Sequence, residues 1–455
     1  MFKSALIVFF LLSMALGHNY FDIIPKYMGT VFAGKEISFK GTCFRKVNVR
    51  LSSHGDVVFT SHKAKDLVCK EVYVVLTPFD YHLAWTQFHG KHTVDIDWKP
   101  NEYEAAKREG VRIFMVHEGF IDTVKDAFHL YKSLAKADPS ELRTLQQSNL
   151  GFTYKVRDSP ITPIPIDEIR SGDSVTFQKS NFEETMIAIG CQSRAGHSGI
   201  AVWNKDKTTL YILESTPELG YHKTEYNDWV RFHTNGERCH SSWCMASILH
   251  LKDELADVIE RNIDTVWEHI DAHMGSEYTY FTNFFSLLDS SVNALPDPFY
   301  PEMLLFAFHM LNEKSPEVME QYFLPGFRHR LGDESLKTFN DVLQVVINRG
   351  MTVEELWAIP ERDEWLYNGK HATHCTSLVY KVWKAGGLFD YLGIDIETNE
   401  QHPRDMYEID IYKKHQQVFG DYYLVLPTFS SVPPYSHMNE QCQLIKGKTH
   451  YPAMC

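Results

Sequence analysis

Hydrophobic and polar residues change their period several times along the chain, and each change marks an expected element. Between residues 18 and 122 the apolar positions come in short alternating or β-branched runs. Examples are Val47-Asn48-Val49-Arg50-Leu51, Val57-Val58-Phe59-Thr60, Glu71 to Thr77 and Val111 to Val116. Turn-forming residues such as Ser53-His54-Gly55-Asp56 and His89-Gly90-Lys91 separate them. Short strands at regular spacing predict a small antiparallel, sandwich-like domain. From Thr123 to Gln147 the period turns helical, with Val124, Ala127, Phe128, Tyr131 and Leu134 on one side. Pro160 and Pro163 then mark an extended linker, so 123–164 reads as a helix and a Pro-rich connection.

The second half opens with Ile166 to Phe177, where a Ser171-Gly172-Asp173 turn leads into a strand. A hairpin follows: His197 to Trp203, a polar turn at Asn204-Lys205-Asp206-Lys207, then Thr208 to Glu214. If the turn is centred on Lys205 and Asp206, His197 faces Glu214 directly across the ladder. Gly199 and Ala201 share that face, where their small side chains leave room for a helix. A different turn length would shift the register and replace Glu214 by a neighbour. Leu251 to His273 reads as one amphipathic helix, followed by aromatic Tyr278-Thr279-Tyr280-Phe281 and a Pro-interrupted helical insertion over about 284–370.

The most informative helix starts at Thr373-His374-Cys375 and runs to Trp383, closed by Gly386-Gly387. Thr373 is the expected N-cap, which puts Cys375 in the first turn. Cys375, Leu378, Val379 and Val382 follow i, i+3, i+4, i+7 and share the apolar face. A helix N-terminus favours thiolate over thiol, and the thiolate is the nucleophile. A carboxylate opposite an imidazole fixes its tautomer and stabilises the imidazolium. Cys375, His197 and Glu214 are therefore the candidate nucleophile, base and orienter. The competing readings are a buried structural cysteine, a Cys191–Cys375 disulfide, and a metal cluster at His371-x-x-His374-Cys375. No second Cys/His pair at ligand spacing completes that cluster, so no metal and no cofactor are expected. A serine nucleophile at Ser198 needs glycine two residues on, and Ile200 stands there.

Composition narrows the setting. The chain has 455 residues and a formal net charge of -14, which disfavours a nucleic-acid partner. Met1 to Gly17 has the form of a signal peptide: Lys3, an apolar stretch from Ala5 to Leu16, and small residues at Ala15 and Gly17. No later segment has the ~18 apolar residues of a membrane span, so a secreted or endomembrane-lumen protein without a transmembrane anchor is expected. There are eight cysteines, and proximity suggests the pairs Cys43–Cys69, Cys239–Cys244 and Cys442–Cys455.

Four motifs in order resemble the permuted papain-like amidases, the branch of the NlpC-type cysteine hydrolases in which histidine precedes cysteine. They are Ile169 to Val175, Gly196-His197-Ser198-Gly199-Ile200-Ala201-Val202, Ile212-Leu213-Glu214-Ser215, and His374-Cys375-Thr376-Ser377-Leu378-Val379. Gly275-Ser276-Glu277-Tyr278-Thr279-Tyr280-Phe281 is similar to the family's aromatic strand ahead of the cysteine. The resemblance implies an α+β fold: a permuted papain-like core of antiparallel sheet plus nucleophile helix, with a helical insertion, preceded by the β-rich domain. On that reading 1–17 is the signal peptide, 18–122 the N-terminal domain and 165–428 the hydrolase domain, with 429–455 a tail. It implies a thiol protease or amidase acting on a peptide, isopeptide or lipid acyl substrate. The N-terminal domain is read as a docking module for an unknown ligand. Two alternatives stay open, an inactive binding protein on the same fold and a related lipid acyltransferase. The chain departs from the family in its long insertion, in Thr376 where serine is usual, and in the preceding domain.

Overall fold

The computed structural model describes residues 26–116, 140–146, 153–156, 165–234, 244–279 and 301–425, apart from short breaks within those ranges. The expected signal peptide, most of the 123–147 helix and the tail lie outside the described residues. The chain is an α+β protein with antiparallel sheets. It divides into two compact units, residues 1–133 with 295–359, and residues 134–294 with 360–455.

The first unit holds β1 (Lys26–Val31), β2 (Glu36–Phe39), β3 (Phe44–Leu51), β4 (Val57–Ala64), β5 (Glu71–Leu76), β6 (Tyr81–Thr86), β7 (Gly90–Val94) and β8 (Val111–Val116). They form two four-stranded sheets, ordered β1-β8-β5-β6 and β2-β3-β4-β7. Val47, Val49 and Phe59 of one sheet share a core with Tyr73, Val75 and Ile113 of the other, as the alternation in the sequence requires. Cys43 is disulfide-bonded, and its expected partner Cys69 lies outside the described residues.

The helical insertion joins this unit rather than the one carrying Cys375. Its helices Pro301–Lys314, Leu324–Leu331 and Phe339–Asn348 surround Phe308, whose ring meets Phe323, Phe327, Phe339 and Trp357 at centroid distances of 4.9 to 5.8 Å. Polar contacts fasten it to the β-rich part: Tyr81 to Glu313, and Asn101 Nδ2 to Asn348 Oδ1 at 3.0 Å.

The second unit contains β9 (Thr153–Val156), β10 (Ser174–Lys179), β11 (His197–Trp203), β12 (Leu210–Thr216), β13 (Gly220–Glu225) and β14 (Cys244–Leu249). Later come β15 (Leu366–Tyr367), β16 (Lys370–His371), β17 (Gln417–Gly420) and β18 (Tyr422–Val425). Six of them form an antiparallel sheet in the order β13-β12-β11-β10-β14-β17. Ile200, Val202 and Leu213 point to one face, where they pack on Leu378, Val379 and Val382 of helix Cys375–Ala385. Ala201, Ile212, Phe177 and Ile248 point to the other, against Tyr226 and Trp229 of helix Tyr226–Thr234.

The stretch expected as one helix from Leu251 is two, Asp253–Arg261 and Ile263–His273, broken at Asn262. Asn262 is used across the core: its Nδ2 donates to the Gly386 carbonyl at 2.9 Å, at the end of the Cys375 helix. Gly387 takes the positive φ of 76° there. Gly386 has ordinary helical φ but lies so close to Ile259 that a Cβ would come within 2.4 Å of it. The Ser171-Gly172-Asp173 turn steadies the same helix, because the Gly172 carbonyl accepts from Trp383 Nε1 at 2.8 Å.

Candidate active site

Helix Cys375–Ala385 begins at the cysteine itself, with His374 rather than Thr373 as its N-cap. The cause is local hydrogen bonding. The His374 backbone N–H donates to Ser377 Oγ at 2.8 Å, and His374 Nε2–H donates to the Gln401 carbonyl at 2.8 Å. Thr373, one residue earlier, instead gives its N–H to Thr279 Oγ1 at 2.7 Å and its carbonyl to the Thr279 N–H at 3.2 Å. Residues 275–279 are accordingly a non-strand segment tied to the entrance of the Cys375 helix, and not the aromatic strand the resemblance implied. Phe281 lies outside the described residues.

The structure brings Cys375, His197 and Glu214 together. His197 Nε2 lies 3.0 Å from Glu214 Oε1, and the imidazole also hydrogen-bonds to the Cys375 sulfur. With Nε2 engaged by the carboxylate, Nδ1 is the ring nitrogen left for sulfur. All three are buried. Cys375 is a free thiol, which rules out the disulfide reading for it. His374 Nε2 is committed to a carbonyl, and among the described residues no group of three or more His, Cys, Asp or Glu is placed to hold a metal ion.

Two details of the hairpin differ from the sequence reading. Ile200 pairs with Leu213 and Trp203 with Leu210, a register two residues away from the expected one. Continuing it sets Glu214 opposite Gly199 and makes His197 a diagonal neighbour. Because side chains alternate with period two, a slip of two keeps both on one face, whereas a slip of one would have separated them. Gly199 is required by this pairing: a Cβ there would meet the Leu213 carbonyl at 2.9 Å and Glu214 Cγ at 3.1 Å. The second difference is the face. The Cys375 helix packs on the side of Ile200 and Val202, opposite to His197, Gly199 and Ala201. Histidine and cysteine meet because one is the first residue of β11 and the other the first of its helix.

Three further residues complete the site, in roles that no spacing or periodicity pointed to. Trp229 Nε1 donates to Glu214 Oε2 at 3.0 Å, so the carboxylate is held from two sides. Ser198 and Thr376, with hydroxyl oxygens 3.1 Å apart, both hydrogen-bond to the Cys375 sulfur. Thr376 Oγ1 is 3.8 Å from Sγ. The threonine that departs from the family pattern thus contributes a hydroxyl at the sulfur. A Ser198 nucleophile served by His197 is disfavoured, since Ser198 faces the Cys375 helix and His197 the opposite side.

The charge states follow from these partners. Burial alone would push His197 down, but hydrogen bonds to Cys375 and Glu214 outweigh it and raise the imidazole to about 10. Burial would push the Cys375 thiol up, yet the bond to His197, helped by Thr376 and Ser198, brings it below its ordinary value. Both shifts favour a thiolate–imidazolium pair, which titrates as a unit.

No family model, curated protein or solved structure matches the chain.

The pair opens into a cleft of about 350 Å³ whose lining includes Glu183, Glu184, Glu218 and Tyr278. Among the described residues lining it there is no lysine or arginine. The described residues contain no helix long and apolar enough to cross a membrane.

Proposed function

We propose that the protein is a cysteine hydrolase built on a permuted papain-like core, cleaving an amide or ester through a thioester on Cys375. One observation carries the reading: a free thiol at the first residue of a helix, hydrogen-bonded to an imidazole that a buried carboxylate holds from behind. This is the arrangement nucleophilic catalysis needs. The order of parts, with histidine strand and acidic strand ahead of the cysteine helix, supports the permuted arrangement.

In the proposed reaction the Cys375 thiolate adds to the substrate carbonyl, forming the S–C bond and placing negative charge on oxygen. The Cys375 backbone N–H, free at the start of its helix, is the donor on hand for that oxyanion. As the tetrahedral species collapses, the C–N or C–O bond breaks and the His197 imidazolium gives its proton to the leaving group. Neutral His197 then takes a proton from water, whose oxygen attacks the thioester and releases the acid. Glu214 stays ionised throughout and holds the ring through Nε2, and Trp229 keeps Glu214 from turning away. Glu183, Glu184 and Glu218 favour a substrate that is neutral or positively charged near the scissile group. An exported or lumenal location and a peptide, isopeptide or lipid acyl substrate belong to the same proposal.

Wild type and Cys375→Ala are compared on panels of amides and lipid esters, followed by mass spectrometry of the Cys375 peptide. The proposal expects turnover by wild type alone and an acyl adduct of the substrate's mass on Cys375. Turnover that survives in Cys375→Ala would contradict it.

A further inference from the structure

A second cavity, of about 330 Å³, lies in the same unit on the flank of the Cys375 helix. The described residues that line it are His269, His273, Asp363, His371, Lys381, Lys384 and Ala385. Five of these are cationic or become so on protonation, in a chain whose formal charge is -14. The one carboxylate is already used. Asp363 Oδ2 accepts from Lys384 Nζ at 2.8 Å, while Oδ1 accepts from Thr398 Oγ1 at 2.7 Å and from the Thr398 and Asn399 backbone.

The histidines are arranged as proton acceptors. His273 gives its Nδ1–H to the His269 carbonyl at 2.8 Å, and His371 Nδ1 is directed at the Asp363 carbonyl at 3.3 Å. In the neutral rings the lone pair is therefore on Nε2. His269 and His273, one helical turn apart, stack at 4.2 Å between ring centroids, and His269 Nε2 is buried with no hydrogen-bond partner among the described residues. Protonating His269 beside His273 and Lys381 is unfavourable, but an anion between the rings and the lysines reverses that cost.

We propose that this cavity binds a tetrahedral oxyanion, a sulfate or phosphate group either free or as a monoester, and takes up a proton on His269 as it does so. The groups facing the histidine rings are Lys381 and Lys384 from the Cys375 helix, and Asp363 with the nearby Glu361 from the segment before β15. Burial, His273 and Lys381 hold His269 down to about 4. Burial likewise lowers Lys381, to about 8, against the pull of Asp363 and Glu361. An oxyanion raises both. The site is separate from the cleft at Cys375 and does not depend on the hydrolase reading.

The test is calorimetric titration of the full chain with sodium sulfate and with phenyl sulfate, at about pH 5.5 and pH 7.5, in buffers of different ionisation enthalpy. Sulfate keeps its charge over this range, so any change reports the protein. The expected result is saturable binding that tightens roughly tenfold at the lower pH, with net proton uptake. His269→Gln should remove most of the pH dependence. Lys384→Gln should weaken binding at both pH values. Unchanged alkylation of Cys375 shows that each variant is folded. The ratio of the two probes tells a free ion from an esterified one, and saturable binding of either supports the site. Absence of saturable binding, tightening at higher pH, or pH dependence untouched by His269→Gln would overturn it.

Discussion

His197 and His374 are both buried, both lie beside Cys375, and carry opposite electrostatic tendencies. His197 has a carboxylate on one ring nitrogen and sulfur at the ring, and is raised to about 10. Burial drives His374 down to about 3; its Nε2–H meets the Gln401 carbonyl, and Lys381 and His402 oppose a charge on it. Burial lowers both, so what separates them is the partner. One is a charged group poised to exchange a proton; the other is a neutral fixture that caps the nucleophile helix.

The largest expected effect breaks the charged side of this contrast. Replacing His197 by alanine removes the imidazolium and should lower turnover by about 10²–10⁴-fold. Assay on whichever substrate the panel identifies checks it, and a loss under threefold would mean that His197 is not the base. Glu214→Gln keeps the shape and removes the charge. The upper limb of the pH–rate profile, set by loss of the imidazolium proton, should then move to lower pH, with turnover reduced about tenfold.

The neutral side predicts acid lability. His374, His309 and His269 all have folded values well below 6.5, near 3, 3 and 4, because burial disfavours the charged ring. The unfolded chain binds more protons than the folded one between those values and 6.5, so their contribution is complete above about pH 6.5 and lost as pH falls toward 3. Urea midpoints measured from pH 7.5 to pH 4 should decline over that window; flat midpoints would mean these rings are charged in the fold. Gly386→Ala should cost about 1–3 kcal/mol by urea denaturation, because the added methyl meets Ile259. The smallest effect is expected for Trp229→Phe. It removes one donor to Glu214 and should shift the pH profile slightly while leaving the fold intact.

What the sequence disclosed, and what it withheld, follows one line. Periodicity within an element was legible: the apolar stripe of the Cys375 helix, the alternation of β3 and β5, the hairpin around residue 206. The identity of the three meeting side chains was legible too, because period-two alternation forgives an error of two in register. Matters decided between distant elements were not. The face on which the Cys375 helix packs depends on where Ile200 and Leu213 send their side chains, which the hairpin alone leaves open. Trp229 reaches Glu214 because β13 returns the chain beside β12 and the helix after it, Tyr226–Thr234, packs on the sheet face that carries Glu214. The break at Asn262 coincides with a bond from its side chain to Gly386, 124 residues away. Likewise, the insertion's aromatic core gave no hint that it would join the β-rich unit.

Catalysis as proposed needs a sulfur that has already lost its proton at neutral pH. The direct measurement is the rate of iodoacetamide alkylation at Cys375 as a function of pH, read by mass spectrometry of that peptide in wild type and in His197→Ala. Rapid alkylation is expected to persist below pH 7 in wild type, and the curve to shift toward that of an ordinary thiol, near 8.5, in the variant. A wild-type curve that rises only around 8.5, or one that His197→Ala leaves in place, would contradict the proposed mechanism.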